Sequence, residues 1–368
     1  MKILCVIDSL GSGGAQRQMV SLLKMLKTRG YIVELLCYHK EEFFADELME
    51  CEIPIFWKTG NNGLKRMILI RKFIRNRKYD VVISYLTVPN FLNCFAALGG
   101  KNWRVITGER SSEIKVFSTI QGKIFAWFQR YADVIICNSY NAQNMWATYY
   151  PKYKNKLTTI YNKINLSHIN TEYIPKKNNK LYVVIAASYD NNRKNPFGLI
   201  EALKLLTIQD KDRIVVYWYG EKNVTNGGTK TFDDSLILIK DYGLENIIHL
   251  KGPTKDIMNE MNQADMVALV SSVEGLPNTI CEGMMLSKPV LMTRVSDYKV
   301  LVDESNGFLC DWDNPESIKD ALVSAMNKNE EQLIEMGRNS KSKAISLFSE
   351  EKIIREWIAT IEQNVICE

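Results

Sequence analysis

Met266-Val267-Ala268-Leu269-Val270-Ser271-Ser272-Val273-Glu274-Gly275-Leu276-Pro277-Asn278-Thr279-Ile280-Cys281-Glu282-Gly283-Met284 reads as a buried strand, a sharp turn and the opening of a helix. The apolar run 266–270 is continuous, as in a strand covered on both faces. Gly275 frees the backbone for close approach to a ligand. Pro277 suits a turn or a first helical position, where its missing N–H costs nothing. The N–H groups of Asn278 and Thr279 would then point at an anion. Glu274 lies in the turn and Glu282 about one turn or more inside the helix, facing the same side. Carboxylates grip sugar hydroxyls well, because each oxygen accepts charge-assisted hydrogen bonds. A solvent-exposed acid in a turn is the weaker alternative.

The same alternation extends outward from this unit. Val- and Ile-rich runs at residues 3–7, 32–38, 53–57, 81–86, 105–107, 134–137 and 157–161 read as strands, with helical spacing between them, as in Met19, Leu22, Leu23 and Leu26. After a polar break at 173–180 the pattern restarts with strands at 181–187, 214–219, 247–251, 266–270, 290–293 and 308–310, and the tail is helical. Apolar strands alternating with helices mean parallel sheets covered on both faces. The expected architecture is α/β: an N-terminal Rossmann-like domain over 1–172, a linker over 173–180, a second such domain over 181–350, and a C-terminal helix over 351–368 that packs back on the first domain. Ligands of such sheets bind at the carboxyl ends of the strands, so two sheets in series predict a cleft between the domains.

The length of 368 residues suits two domains. No run reaches the ~18 apolar residues of a membrane-spanning helix, and the opening Met1-Lys2-Ile3-Leu4 runs straight into a strand without a signal-peptide pattern. The expected location is cytoplasmic. The eight cysteines are scattered and form no CxxC pair, which reads as small buried hydrophobes rather than disulfides or zinc ligands. His39, His168 and His249 have no metal spacing and no serine elbow nearby, which argues against a Ser-His-Asp hydrolase. Residues 1–163 carry 24 basic and 12 acidic side chains, the remainder 23 and 30. A basic half suits nucleic acid, an anionic membrane or a phosphorylated substrate. No recognised nucleic-acid motif accompanies it.

A second cluster, Asp8-Ser9-Leu10-Gly11-Ser12-Gly13-Gly14-Ala15-Gln16-Arg17, ends the first strand. Such a turn admits an anion at a helix N-terminus or is simply a tight packing turn. It lacks the Lys-Ser/Thr of a P-loop and the third glycine of the dinucleotide fingerprint.

Together these motifs resemble the retaining, GT-B-fold glycosyltransferases of family four, or group one. Glu274 and Glu282 match the family's Glu-x7-Glu motif. Gly13-Gly14-Ala15-Gln16 matches its diglycine loop, and 134–139 its strand ending in Ser139. Ile160-Tyr161-Asn162, Lys288-Pro289-Val290 and Asn306-Gly307-Phe308 match further landmarks. The resemblance implies that Glu282 holds the nucleotide ribose and Glu274 the transferred sugar. The backbone of Gly275, Leu276 and Pro277 would hold sugar hydroxyls. Asn278, Thr279, Gly13, Gly14 and a basic pair would hold the diphosphate, and Gly252, Pro253 and Thr254 would lie near the base. Gln16, Glu109, Arg110 and Ser139 would face the acceptor.

Three departures stand out. Lys194 falls on the family lysine, but Tyr189 occupies the place of its arginine and Arg193 is the nearest replacement, either a phosphate ligand or a solvated loop residue. Tyr161-Asn162-Lys163 replaces the usual Asn-Gly turn. Gly108-Glu109-Arg110 stands where many relatives place a histidine, and Glu109 and Arg110 face the acceptor or form a surface salt bridge.

A departing nucleoside diphosphate must be stabilised by a metal or by fixed cations and dipoles. Asp210-Lys211-Asp212 and Asp311-Trp312-Asp313 both read as turn acids, so the expectation is metal-independent catalysis by Glu274, Lys194 and Arg193 with helix dipoles. No cofactor is implied beyond the substrate nucleotide sugar, expected to be UDP-linked. The resemblance implies hexosyl or N-acetylhexosaminyl transfer to a glycan, on a polyprenyl-diphosphate carrier. An epimerase on the same fold and a degenerate sugar-binding protein are the alternatives. Lys123, Phe125, Trp127, Phe128 and Arg130 interleave aromatics with cations, and Arg71, Arg75 and Lys78 share a helical stripe. Both features suit peripheral binding to an anionic membrane at the inner leaflet. An ordinary packed helix is the alternative for the second.

Overall fold

Each apolar run named above forms a parallel strand, and the intervening segments form helices. In the computed structural model, the described residues are all but 61, 111–114, 165–179, 224–227 and 364–368, with backbone only at 115 and 116. Two units result, Met1–Lys163 with Glu350–Glu368, and Ile164–Ser349. The expected linker lies, except for Lys180, outside the described residues, as do His168 and Cys367.

The first unit runs β1 (Lys2–Val6), α1 (Gly14–Thr28), β2 (Ile32–Cys37), α2 (Ala45–Glu50), β3 (Ile55–Trp57), α3 (Gly63–Asn76), β4 (Val81–Tyr85), α4 (Thr87–Ala97), β5 (Arg104–Glu109), α5 (Lys115–Ser118), α6 (Ile120–Phe128), β6 (Val134–Cys137), α7 (Tyr140–Tyr149) and β7 (Leu157–Thr159). Its sheet order is β3-β2-β1-β4-β5-β6-β7, all parallel. The second runs β8 (Leu181–Ala186), α8 (Pro196–Lys204), α9 (Ile208–Lys211), β9 (Ile214–Tyr219), α10 (Lys230–Asp241), β10 (Ile248–Lys251), α11 (Ile257–Gln263), β11 (Met266–Leu269), α12 (Asn278–Met285), β12 (Val290–Thr293), α13 (Tyr298–Leu301), β13 (Gly307–Cys310), α14 (Pro315–Met326) and α15 (Glu330–Phe348). Its order is β10-β9-β8-β11-β12-β13, again parallel.

The central strands are buried on both faces, which is why their sequences do not alternate. The final helix α16 (Glu350–Glu362) belongs to the first unit. Its buried Trp357 lies 6.2 Å from the Tyr85 ring, and Glu351 and Glu350 pair with Arg29 at 2.7 Å and Lys163 at 2.5 Å.

The basic stripe on α3 has a different use from the one expected. Arg71 donates to the carbonyls of Ala96 (3.1 Å) and Leu98 (2.6 Å), and Arg75 to those of Ala96 (3.0 Å) and Gly100 (2.7 Å). Two of its three cations thus close the C-terminal carbonyls of α4, groups that a helix end leaves without partners.

Candidate active site

Strand order reverses at β8, which has β9 on one side and β11 on the other. Loops at such a reversal splay apart and leave a crevice at the carboxyl ends of the strands. Here the loops after β8 and β11 are stitched together at their bases. Ser272 donates its N–H to the Arg193 carbonyl and its hydroxyl to the Asn192 carbonyl, both at 2.8 Å. The Asn195 side chain donates to the Val270 carbonyl at 3.3 Å, and its Oδ1 caps α8 by accepting from the Gly198 N–H. Asn195 takes a left-handed φ of 60°, which asparagine tolerates, and Pro196 follows at the first helical position. This geometry fixes Lys194, whose Nζ lies 2.5 Å from Glu274 Oε1 in a largely buried pair. Arg193, beside it, is exposed.

The helix after the turn is seated tightly. A Cβ on Gly283 would come within 2.7 Å of Val267 Cβ, so α12 packs directly on β11. Thr279 Oγ1 donates to the Ala186 carbonyl at 2.8 Å, tying the start of α12 to the end of β8. The Asn278 N–H, expected to face an anion, bonds instead to the Leu276 carbonyl at 2.9 Å. Among the described residues none accepts from the Thr279 N–H. Leu276 and Pro277 are buried, Gly275 and Glu282 half-buried, and the Gly275 carbonyl accepts from the Ser296 hydroxyl. Gly252, Pro253 and Thr254 follow β10, with the Thr254 hydroxyl accepting from the Asp256 N–H at 3.1 Å.

Tyr189 is part of the core. It is fully buried, and its hydroxyl bridges the carbonyls of Trp218 (2.7 Å) and Lys251 (2.8 Å) at the ends of β9 and β10. The position of the missing arginine thus holds two strand ends together, and Arg193 and Lys194 are the cations left on that loop.

In the first unit, Gly13 precedes α1 as its N-cap and Gly14 opens the helix. Gln16 folds back, donating to Asp8 at 2.9 Å. Glu109 ends β5 and Arg110 follows it, and the surface salt-bridge reading fails for both. Glu109 is buried, and its Oε1 accepts from Asn90 (2.9 Å) and Gln129 (3.1 Å). Burial raises its pKa to about 7, against the lowering pull of Asn90 and Arg110. The Arg110 guanidinium lies 3.5 Å over the Tyr85 ring and donates to Asn162 Oδ1 at 2.9 Å. Ser139 is fully buried, and its hydroxyl caps α7 by accepting from the Ala142 N–H at 3.1 Å.

Sequence reasoning missed Asn90, Gln129 and Asn195 as supports, and quoted Asn162 and Ser272 within motifs without seeing their part in holding the site. Of the three missed, Asn195 carried a signal, the cap-then-proline pair Asn195-Pro196. The Asp-x-Asp triplets are held by arginines, Asp210 by Arg213 at 3.2 Å and Asp311 by Arg294 at 2.8 Å. Among the described residues no three His, Cys, Asp or Glu side chains gather as metal ligands would, and no helix is long and apolar enough to cross a membrane.

A buried lysine–carboxylate pair at the switch point, beside an uncapped helix start, can hold an anionic leaving group and a polyol together. Residues 170–343 match the family of glycosyl transferases group 1, and residues 12–168 match glycosyltransferase family 4. The chain belongs to this glycosyltransferase family. The N-acetylgalactosamine-N,N'-diacetylbacillosaminyl-diphospho-undecaprenol 4-alpha-N-acetylgalactosaminyltransferase of Campylobacter jejuni is 24% identical over 96% of this chain and 98% of its own. The UDP-Gal:alpha-D-GlcNAc-diphosphoundecaprenol alpha-1,3-galactosyltransferase of Escherichia coli is 21% identical over 91% and 90%. The crystal structure of Anabaena HepE in complex with UDP superposes with a TM-score of 0.85 at 18% identity, covering 99% of this chain and all of that one, a likeness of fold. Within this glycosyltransferase the GT-B architecture therefore holds, and the Glu274–Lys194 pair sits on its second sheet.

Proposed function

We propose that this glycosyltransferase moves a hexosyl or N-acetylhexosaminyl group from a UDP-sugar, with retention and without a metal ion, to a glycan carried on a polyprenyl diphosphate. The 2.5 Å Lys194–Glu274 contact at the β8/β11 switch point carries the reading. With no donor bound, the two side chains neutralise each other. A donor diphosphate would draw Lys194 towards its oxygens and release Glu274 to the hydroxyls of the transferred sugar. As the sugar–oxygen bond breaks, negative charge builds on the diphosphate. Lys194, Arg193 and the Thr279 N–H would meet that charge. Glu282 would accept from the ribose hydroxyls, with the base near Gly252–Thr254.

The acceptor class is supported by the names of the two relatives, both of which act on undecaprenyl-diphosphate carriers. Such an acceptor belongs to surface polysaccharide or glycan assembly, and it makes an anionic membrane surface a partner of the enzyme.

Donor binding tests the site, and the fate of the donor sugar separates this reading from its rivals. A UDP-sugar should raise the melting temperature of the wild type, and the shift should shrink in Lys194→Ala and survive excess chelator. A shift that needs added manganese or magnesium contradicts the metal-independent reading. Conversion of the donor sugar to an epimer without acceptor would assign the fold to an isomerase.

A further inference from the structure

One helix layer of the first unit has an outer surface that is both apolar and cationic. Parallel crossovers are right-handed, so connections running one way along a sheet lie on one face and those running the other way on the opposite face. From β3 through β4, β5 and β6 to β7 every connection runs the same way, which puts α3, α4, α6 and α7 on one side. These four helices contain no Asp or Glu, and residues 53–171 hold 18 basic against four acidic side chains.

On α6 the exposure is ordered. Ile120, Ile124 and Trp127 are 80%, 48% and 43% exposed. They follow helical spacing along one stripe. Lys123 and Arg130 are exposed with them, and the Arg130 guanidinium lies 4.5 Å over the Trp127 ring. The inward side of α6 is already filled, because Phe91 of α4 stacks on Phe125 at 4.6 Å and meets Phe128 edge-on at 4.8 Å. The outward apolar residues therefore have no core to serve. On α3, Leu64, Ile68 and Leu69 are likewise exposed, beside exposed Lys65 and Lys72. Large apolar side chains ringed by cations and free of acids suit the boundary between lipid headgroups and acyl chains.

We propose that this face docks on an anionic lipid surface, with Ile120, Ile124 and Trp127 entering the headgroup boundary and the surrounding lysines and arginines meeting lipid phosphates. The charge of the face selects this occupant over a neutral bilayer. The inference rests on the lipid-carried acceptor proposed above. Helices of a parallel sheet start at the carboxyl rim of the strands, so Leu64 and Ile120 begin on the same rim as Glu109 and Arg110. A membrane-borne acceptor would reach the sheet at that rim.

The test is sedimentation of the full chain with phosphatidylcholine vesicles, with and without phosphatidylglycerol. Wild type should bind the phosphatidylglycerol vesicles at low salt, release at high salt, and leave neutral vesicles unbound. Lys123→Glu, and separately Ile124→Glu with Trp127→Glu, should weaken binding by about tenfold or more. Ile208→Glu in the second unit, at an 83% exposed position, should not. The melting shift produced by UDP-sugar should be the same in all of them, which shows the variants folded and separates this claim from the donor reading. Equal binding by wild type and both stripe variants, or no binding to anionic vesicles at low salt, overturns the proposal. So does a dimer that the stripe substitutions dissolve in a chain that ignores vesicles, since the face would then belong to a second copy.

Discussion

Tyr189 and Glu109 show how single residues depart from a family pattern for physical reasons. Tyr189 gives up a cation and in exchange bolts the ends of β9 and β10 through one hydroxyl. Its replacement by phenylalanine removes the one hydroxyl proton shared between these carbonyls, which should cost about 1 kcal/mol. The expected result is a melting temperature lower by several degrees with donor affinity retained, read by calorimetry with and without UDP-sugar. Glu109 makes a prediction in pH. Burial lifts its carboxyl from the ordinary 4.5 to about 7. Between those values the folded chain keeps a proton that the unfolded chain has released, so this residue's contribution to stability falls as pH rises through the window. Glu109→Gln keeps an oxygen for Asn90 and Gln129 and removes the titration. Its melting temperature should match wild type near pH 4 and exceed it increasingly towards pH 7.5. A constant difference across the range would show that Glu109 does not titrate there. The sequence marked Glu109 and Arg110 as a departure but not Glu109 as buried, because their partners Tyr85, Asn90, Gln129 and Asn162 come from four separate places, the end of β4, α4, the turn after α6 and the segment after β7.

At the scale of elements, strand positions were legible because fully buried parallel strands leave unbroken apolar runs. Their carboxyl ends were less so. Ile7, Tyr38, Val270 and Ile160 are buried like strand residues but lie past the ladders, since loops at that rim pack inward to build the site. Helix α3 shows the converse. Its apolar stripe was readable from spacing and its cations were not, because the carbonyls that Arg71 and Arg75 close belong to the next helix. Arg71→Ala should lower the melting temperature by several degrees through loss of charged hydrogen bonds, each worth about 1.5–3 kcal/mol. Arg71→Lys should rescue little, since one ammonium cannot span carbonyls that a planar fork reaches together. Full recovery by lysine would mean that charge alone, rather than the fork, holds the end of α4. The turn 271–277 was read correctly as strand, turn and helix, yet its stitching by Ser272 and Thr279 depends on main-chain groups of β8 and its loop, which no spacing records.

For the whole molecule, we propose that the two units, each built on a parallel sheet and opposite in charge, divide donor and acceptor binding between them. The acidic unit carries Glu274, Lys194 and the α12 start. The basic unit carries Glu109, Arg110 and the cationic helix layer. The donor half of this scheme was legible as a motif, since one strand-turn-helix segment holds most of it. The acceptor half was legible only as charge. The most direct measurement of the account is transfer itself. The full chain is incubated with a panel of labelled UDP-sugars and a short-chain polyprenyl-diphosphate-linked glycan, and label is counted in the lipid phase. The account predicts transfer from one donor or a few, undiminished by chelator, and lower by about 10²–10³-fold in Lys194→Ala and in Glu274→Ala. Transfer at the wild-type rate in both variants, or none from any UDP-sugar to that acceptor, would contradict it.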